Sequence, residues 1–381
     1  MDNTEKIVLV NRIKNEQINR YNMVKYKCCS YEPNKIIILL LIIIITIQFL
    51  IIILIFIDNK KSIKGNEEIN GRLFLYKKDS NYSINTEKNN IQIVMTSDNG
   101  GIYPTLVSMA SALENNNKIE NIINYHLLLS HDFNMEKIEY FESLKEKYDF
   151  RINYYIIPDI FNNLKKWRRS TPTVYYKLLI PYIFPDFERI IFFDSDTLIF
   201  KDLSEMFNLP FNDNYVLGYP FHTPWIISIK KKHPKIYINA GVLLMNLNKI
   251  RNDNKDFELF QYSLSHSRKL LFLEQDAINI IFHKKIGLLP LRYGIYLYGN
   301  ITEYKKEYAY KLYIKLNIKE LEKAIEEPSV LHLCCCNPKV WYKKTKHENH
   351  FNHICKRFQK EFYFYANKTK YYDEIYNKYM K

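Results

Sequence analysis

A chain of 381 residues, 47% of them apolar, is long enough for one large domain or two ordinary ones, each with a sizeable core. The formal net charge of +14 is compatible with polyanionic ligands such as nucleotide diphosphates. The lysines are scattered, however, and no nucleic-acid-binding motif accompanies them, so no nucleic-acid partner is expected. The six cysteines include no Cys-x-x-Cys pair matched by a second, which excludes a structural zinc site of that kind and a disulfide scaffold. A single disulfide among the last four stays open for a domain in an oxidising compartment.

In chain order, residues 1–35 read as a polar, cytosolic tail. The stretch "IIILLLIIIITIQFLIIILIFI", from Ile36 to Ile57, carries no charge, and only Thr46 and Gln48 are polar. At about 1.5 Å per residue it spans a hydrocarbon core of about 30 Å. It is apolar on every face, unlike the helices of a soluble core, and no small-residue cleavage site follows. We read it as a signal anchor of type II topology, which puts the remainder of the chain in the lumen of the Golgi or endoplasmic reticulum. Lysines on both sides of the segment leave the orientation weakly determined by charge alone. Residues 58–90 are polar with little periodicity and read as a stem.

The folded domain is expected over 91–342. "NIQIVMTSDNGG" is a short apolar strand ending in a polar, glycine-containing turn, and "PTLVSMASALEN" (104–115) has helical spacing. A strand at 121–130, an amphipathic helix at 135–148 and a strand at 150–157 follow. This alternation predicts an α/β fold with a mixed, mostly parallel sheet, whose ligands sit at the carboxyl ends of the strands. Residues 343–381 form a basic, aromatic extension. We read it as a terminal helix packed by its tyrosines, with a membrane-surface helix as the other reading.

The stretch "IIFFDSDTLIF" (190–200) places Asp194 and Asp196 at the end of an apolar strand. In an extended chain, residues i and i+2 face the same way, so both carboxylates can address one point. Two adjacent carboxylates repel unless a cation joins them, and carboxylate oxygens suit hard divalent ions. A pair of turn or helix-capping aspartates is the plain structural alternative. Haloacid-dehalogenase-type phosphatases also place Asp-x-Asp after a strand, but Leu198 stands where their threonine would be, and no later acidic motif completes such a site.

Further motifs stand in order along 91–341: "STPTVYYKLLIPYIFPDFERIIFFDSDTLIFKDLSEMF" (170–207), "YINAGVLLMNL" (237–247), "FLEQDAIN" (272–279), "LPLRYGIY" (289–296) and "PSVLHLCCCNPKVW" (328–341). In this order they resemble glycosyltransferase family 8, the retaining nucleotide-sugar transferases that include glycogenin and bacterial lipopolysaccharide galactosyl- and glucosyltransferases. The resemblance implies a GT-A-like fold and transfer of a hexose-type sugar from a UDP-sugar to a glycan, glycoprotein or glycolipid.

It also implies roles for individual residues. Asp194, Asp196 and His332 would hold Mn²⁺, with Mg²⁺ the alternative. Asp98, Lys177, Ser195, Glu274, Asp276 and Lys339 would bind the nucleotide sugar, Lys339 at the diphosphate. Asn239 and Gln275 would act at the catalytic centre. The chain departs from the family's pattern in three places. Glu274 replaces the first aspartate of an Asp-Gln-Asp motif. Gly100-Gly101 replaces Asn-Tyr in the nucleotide turn, so stacking on uracil is expected to be weaker or to come from Tyr103. Cys335 stands near a usual glycine between His332 and Lys339. A degenerate, non-catalytic member acting as a membrane-bound binding scaffold is the alternative of a different class.

Overall fold

The computed structural model describes residues 75–77, 90–116, 121–166, 170–221, 236–294, 318–335, 339–343 and 353–381. The segment 36–57, read above as a membrane anchor, and most of the stem lie outside the described residues. Among the described residues no helix is long and apolar enough to cross a membrane. The chain divides into two units, residues 1–75 and 76–381, and the elements below belong to the second apart from Leu75 at its border.

Among the described residues, eight strands form one sheet in the order β1-β4-β3-β2-β5-β8-β7-β9. These are β1 (Leu75–Lys77), β2 (Ile91–Ser97), β3 (Ile123–Ser130), β4 (Arg151–Ile157), β5 (Arg189–Phe193), β7 (Val216–Pro220), β8 (Ile238–Asn246) and β9 (Ile286–Leu288). β2 pairs in parallel with β3 and β5, and β3 in parallel with β4. β8 runs antiparallel between β5 and β7, and β9 pairs in parallel with β7. A two-stranded antiparallel ribbon joins β6 (Thr197–Ile199) to β10 (Val330–His332). The expected mixed, mostly parallel sheet is thus the observed one.

The central strands are buried on both faces, which is why they read as near-continuous apolar runs rather than alternating ones. One face is covered by helix α1 (Ile102–Asn115), whose Leu106, Val107, Met109 and Ala110 are fully buried. The helix expected at 135–148 is a broken run: a 3₁₀ turn at Met135–Lys137, a short α-helix at Ile138–Glu142 and another 3₁₀ turn at Ser143–Glu146. At the second switch, Ser143 Oγ donates to the Tyr140 carbonyl at 2.7 Å, a side-chain bond that competes with the regular helical ladder. The stretch carrying Lys177 is likewise a 3₁₀ helix, Pro172–Leu179.

Three further helices bear on the site: α2 (Glu274–Ile281), α3 (His353–Ala366) and α4 (Tyr372–Met380). The last two make up the described part of the C-terminal extension, and they pack through buried Phe358, Phe362, Tyr365, Ile375 and Tyr379.

Candidate active site

Asp194 and Asp196 sit where β5 hands over to β6, at the carboxyl end of the parallel strands. The neighbouring strand β2 ends at the same edge with Asp98. β10 pairs with β6 so that His332 lies opposite Thr197, and Leu333 N donates to the Asp196 carbonyl at 2.8 Å. The chain's last ribbon strand therefore delivers an imidazole to two carboxylates more than 130 positions earlier. Ligand atoms of Asp194, Asp196 and His332 all lie within 4.8 Å of one another.

The convergence has a different cause from the i, i+2 rule. Residues 194–196 form a turn, not an extended strand, and Thr197 Oγ1 closes it on the Asp194 carbonyl at 3.0 Å. Both carboxylates nevertheless face the same nitrogen. His332 Nε2 is 2.9 Å from Asp196 Oδ1 and 3.6 Å from Asp194 Oδ2. Ser195 is part of the turn between them and is partly exposed.

The imidazole's other nitrogen fixes its tautomer. Asn239 Oδ1 accepts from the Gly241 backbone N–H at 2.7 Å, which identifies it as the oxygen of the amide. That oxygen is 3.1 Å from His332 Nδ1, so Nδ1 must carry a proton. The Tyr219 hydroxyl shares the same nitrogen at 2.8 Å. This is the outer-shell arrangement that presents the opposite nitrogen of a histidine to a metal. Gly241 makes the approach possible: a Cβ there would lie 2.1 Å from His332 Cε1 and 2.6 Å from Asp194 Oδ2. Neither Tyr219 nor Gly241 was singled out in the sequence, and only the "NAG" step of the 237–247 motif could have pointed to the glycine.

The charges are arranged around this centre. Burial works to raise the Asp196 carboxyl, but Lys339 and His332 hold it well below the usual carboxylate range. Burial likewise opposes charge on His332, while Cys334 and Asp196 push it well above its ordinary value. The Lys339 ammonium bonds Asp196 Oδ2 and the Leu333 carbonyl, and lies over the Trp341 ring at 5.9 Å.

Lys177 is almost fully buried at 2% exposure, a position that costs several kcal/mol for an unpartnered ammonium. Its three N–H groups all find acceptors: Asp194 Oδ1 at 3.1 Å, Glu274 Oε1 at 3.1 Å and the Ala240 carbonyl at 3.0 Å. Burial alone would depress its pKa, and Asp194 and Glu274 more than offset this. Glu274 is raised by burial and by the charge of Asp194, against the pull of Lys177.

α2 begins after Leu273, whose φ of 53° is a strained conformation for a residue other than glycine. Asp276 holds this bend. Its Oδ2 accepts from the Leu271 and Phe272 N–H groups at 2.6 and 2.9 Å, and its Oδ1 accepts from the Tyr237 hydroxyl at 2.5 Å. Gln275 is buried beside it. Its Oε1 accepts from Ala240 N at 3.1 Å and its Nε2 donates to the Tyr237 hydroxyl at 3.2 Å. One lone pair of the Gln275 oxygen is thus engaged by backbone and a second is left over. Asp98 Oδ1 accepts from Gly100 and Gly101 N–H at 2.9 and 2.7 Å and so shapes the turn after β2. Tyr103 is turned toward the C-terminal helices, donating to Glu374 Oε2 at 3.2 Å.

A surface cleft of about 610 Å³ lies elsewhere, lined by Ile122 and residues 145–151 at the amino ends of β3 and β4. Its lysines Lys145 and Lys147 are paired with Glu142 and Glu114, and no cluster of metal-ligating groups faces it among the described residues.

The donor set fits a divalent cation. Two carboxylates and an imidazole that would release its Nε2 proton on binding suit Mn²⁺. Two ligand atoms of one such ion lie no more than about 4–5 Å apart at bond lengths of about 2.0–2.5 Å, and the observed separations of 2.9 and 3.6 Å fall within that limit.

The family model described as Glycosyl transferase family 8 matches residues 75–345, well over half of the chain. The chain belongs to this family. Among its curated relatives, a lipopolysaccharide 1,2-glucosyltransferase of Escherichia coli is 28% identical over 228 residues, 55% of this chain and 63% of that enzyme. A putative glycosyltransferase of Haemophilus influenzae is 25% identical over 275 residues, 68% of this chain and 75% of that protein. The mouse glucoside xylosyltransferase 2 is 26% identical over 215 residues, 51% of this chain and 48% of that protein. The chain thus spans less than two thirds of the Escherichia coli and mouse relatives. The solved structure of galactosyltransferase LgtC in complex with donor and acceptor sugar analogs superposes with a TM-score of 0.59 at 18% identity, over 74% of this chain and 96% of that one. At that identity the likeness establishes the GT-A-like fold.

Proposed function

We propose that this chain is a retaining glycosyltransferase that moves a hexose-type sugar from a UDP-sugar to a glycan, glycoprotein or glycolipid. The observation that carries the reading is the convergence of Asp194, Asp196 and His332 within 4.8 Å at the carboxyl edge of the sheet, with the Lys339 ammonium on Asp196. The sugar-transferase names of the Escherichia coli and mouse relatives support a glycan-type acceptor. A complete donor set speaks against a non-catalytic scaffold.

In this reading Asp194, Asp196 and His332 hold Mn²⁺, with Mg²⁺ the alternative; the ion supplies Lewis-acid neutralisation of the diphosphate leaving group. Lys339 adds a cation to the same phosphates where charge develops as the glycosidic bond breaks. Asn239 and Tyr219 keep the His332 proton on Nδ1. Lys177 fixes Asp194 and Glu274 in place, and its protons are used up in doing so, which makes it a positioning residue. Asp98 and Ser195 stand at the nucleotide side. Glu274 meets the sugar hydroxyls from the α2 side, with Asp276 holding the bend that aims it. The remaining lone pair of Gln275 stabilises the oxocarbenium-like sugar. The protein's work is mainly positioning and leaving-group stabilisation.

The apolar segment 36–57 and the polar stretch after it support a type II anchor, with residues 58–381 in the lumen of the Golgi or endoplasmic reticulum. Protease digestion of sealed microsomes tests this, because a domain digested without detergent lies in the cytosol. The activity itself is tested by offering the purified protein a panel of UDP-sugars with Mn²⁺ and measuring UDP release. Release no greater than in a chelator control across the panel removes the proposal.

A further inference from the structure

The helices α3 and α4 lie beyond the family match, which ends at residue 345. We propose that they belong to the donor site's machinery, with Gln359 and Tyr363 of α3 positioning the segment that carries Lys339. The proposal rests on the reading of Lys339 as a diphosphate contact given above.

Residues 339–343 form a short turn, closed by Tyr342 N donating to the Lys339 carbonyl at 3.0 Å. The next carbonyls of this turn are held from outside. Gln359 Nε2 donates to Val340 O at 2.7 Å and to Tyr342 O at 3.0 Å. The Tyr363 hydroxyl donates to Trp341 O at 2.5 Å. α4 completes the grip, with Lys343 N donating to the Tyr379 carbonyl at 2.9 Å. Two side chains of one helix thus fix three consecutive carbonyls directly after Lys339. A short turn has little internal bonding to set its own shape, so the path of this one is set by α3.

The same pair of helices reaches the other rim of the site. Tyr379 of α4 packs on Trp341 at 6.2 Å and on Tyr103 at 6.0 Å. Tyr103 stands in the first turn of α1, just after the turn shaped by Asp98, and its hydroxyl donates to Glu374 of α4. One aromatic ring therefore ties the first turn of α1, which follows the turn after β2, to the Lys339 segment, the two sides between which a nucleotide diphosphate would lie. A cation acts on a leaving group only when it is held within a fraction of an ångström of its place. The extension supplies that constraint.

The test measures Mn²⁺-dependent UDP affinity by calorimetry, together with the melting temperature, in the full-length protein. Gln359→Ala keeps a good helix former at a partly buried position, and Tyr363→Phe removes only a hydroxyl. Each is expected to weaken UDP binding by about 3- to 10-fold, within the range of coupling seen between contacting residues, and to leave melting nearly unchanged. In a Lys339→Ala background the same substitutions are expected to change UDP affinity by less than about 2-fold, because their effect runs through the ammonium. Wild-type UDP affinity in Gln359→Ala overturns the proposal, as does an undiminished loss in the Lys339→Ala background. If Gln359→Ala fails to fold, Tyr363→Phe decides by the same two criteria. Absence of UDP binding by the wild-type protein removes the functional reading itself and this inference with it.

Discussion

Replacing Gly241 by alanine is the most exacting perturbation of the proposed metal centre, because it adds one methyl group and removes nothing. An ideal Cβ at this position lies 2.1 Å from His332 Cε1 and 2.6 Å from both His332 Nδ1 and Asp194 Oδ2. Ordinary carbon–carbon contact is about 3.5 Å, so the imidazole must retreat by about 1.4 Å or the strand must back away. The strand has little room. β8 is bonded between β5 and β7, and the Gly241 carbonyl accepts the Asp194 N–H at 2.8 Å. Metal–ligand distances tolerate only about 0.2 Å, so the displaced imidazole is lost as a ligand. Loss of an outer-shell partner alone costs about 10- to 100-fold in metal affinity. Loss of the ligand is therefore expected to weaken Mn²⁺ binding by at least about 100-fold, or about 2.7 kcal/mol. Overpacking adds a stability cost of about 1–3 kcal/mol. Calorimetric titration of Mn²⁺ into the folded variant measures the first effect. Gly100→Ala is the control, since its Cβ meets only Asp98 Oδ1, at 3.3 Å. A folded Gly241→Ala protein with Mn²⁺ affinity within about 3-fold of wild type would falsify the reasoning.

Three further outcomes are expected. Asp196→Ala abolishes Mn²⁺-dependent UDP binding while the domain stays folded, and unchanged affinity by calorimetry would remove Asp196 from the metal site. Gln275→Ala slows transfer by about 10-fold or more with little change in donor affinity, the effect of losing at least roughly 1.4 kcal/mol of transition-state stabilisation. Wild-type turnover with only a lower melting temperature would leave Gln275 no role beyond its bonds to Ala240 and Tyr237. Burial tends to raise Glu114, but hydrogen bonds from Lys368, Tyr148 and Lys147 hold it at about 2, below its ordinary 4.5. A depressed carboxyl contributes stability that is present above its unfolded pKa and is lost as pH falls through the folded one. Glu114→Gln is therefore expected to be less stable than wild type by about 1 kcal/mol at pH 6, discounted for partial exposure. The difference should shrink as pH falls below about 4.5 and vanish near 2, and a pH-independent difference in urea denaturation counts against the assignment.

What the sequence determined by itself was the framework. Its alternation of apolar strands and helices from Ile91 to Ile157 specified a parallel α/β sheet, because such strands are buried on both faces and announce themselves as unbroken apolar runs. The order of motifs named the family, and with it Asp194, Asp196 and His332, since their spacing survives in the chain whatever the local geometry.

Tertiary structure decided how those residues meet. The two aspartates converge through a turn closed by Thr197, and the imidazole arrives through the β6–β10 pairing, a contact between residues too far apart for any periodicity to register. Lys177 read as a donor-facing side chain, yet its burial and its three acceptors come from separate parts of the chain: Asp194, Ala240 and Glu274. Tyr219 acts through space on His332 and no pattern around it marked its part, while the Asn-x-Gly step displayed Gly241 without its contact with the imidazole. The C-terminal helices show the same division. Their aromatic and basic composition was plain, but their grip on residues 340–343 depends on side chains reaching backbone carbonyls that carry no sequence signature at all.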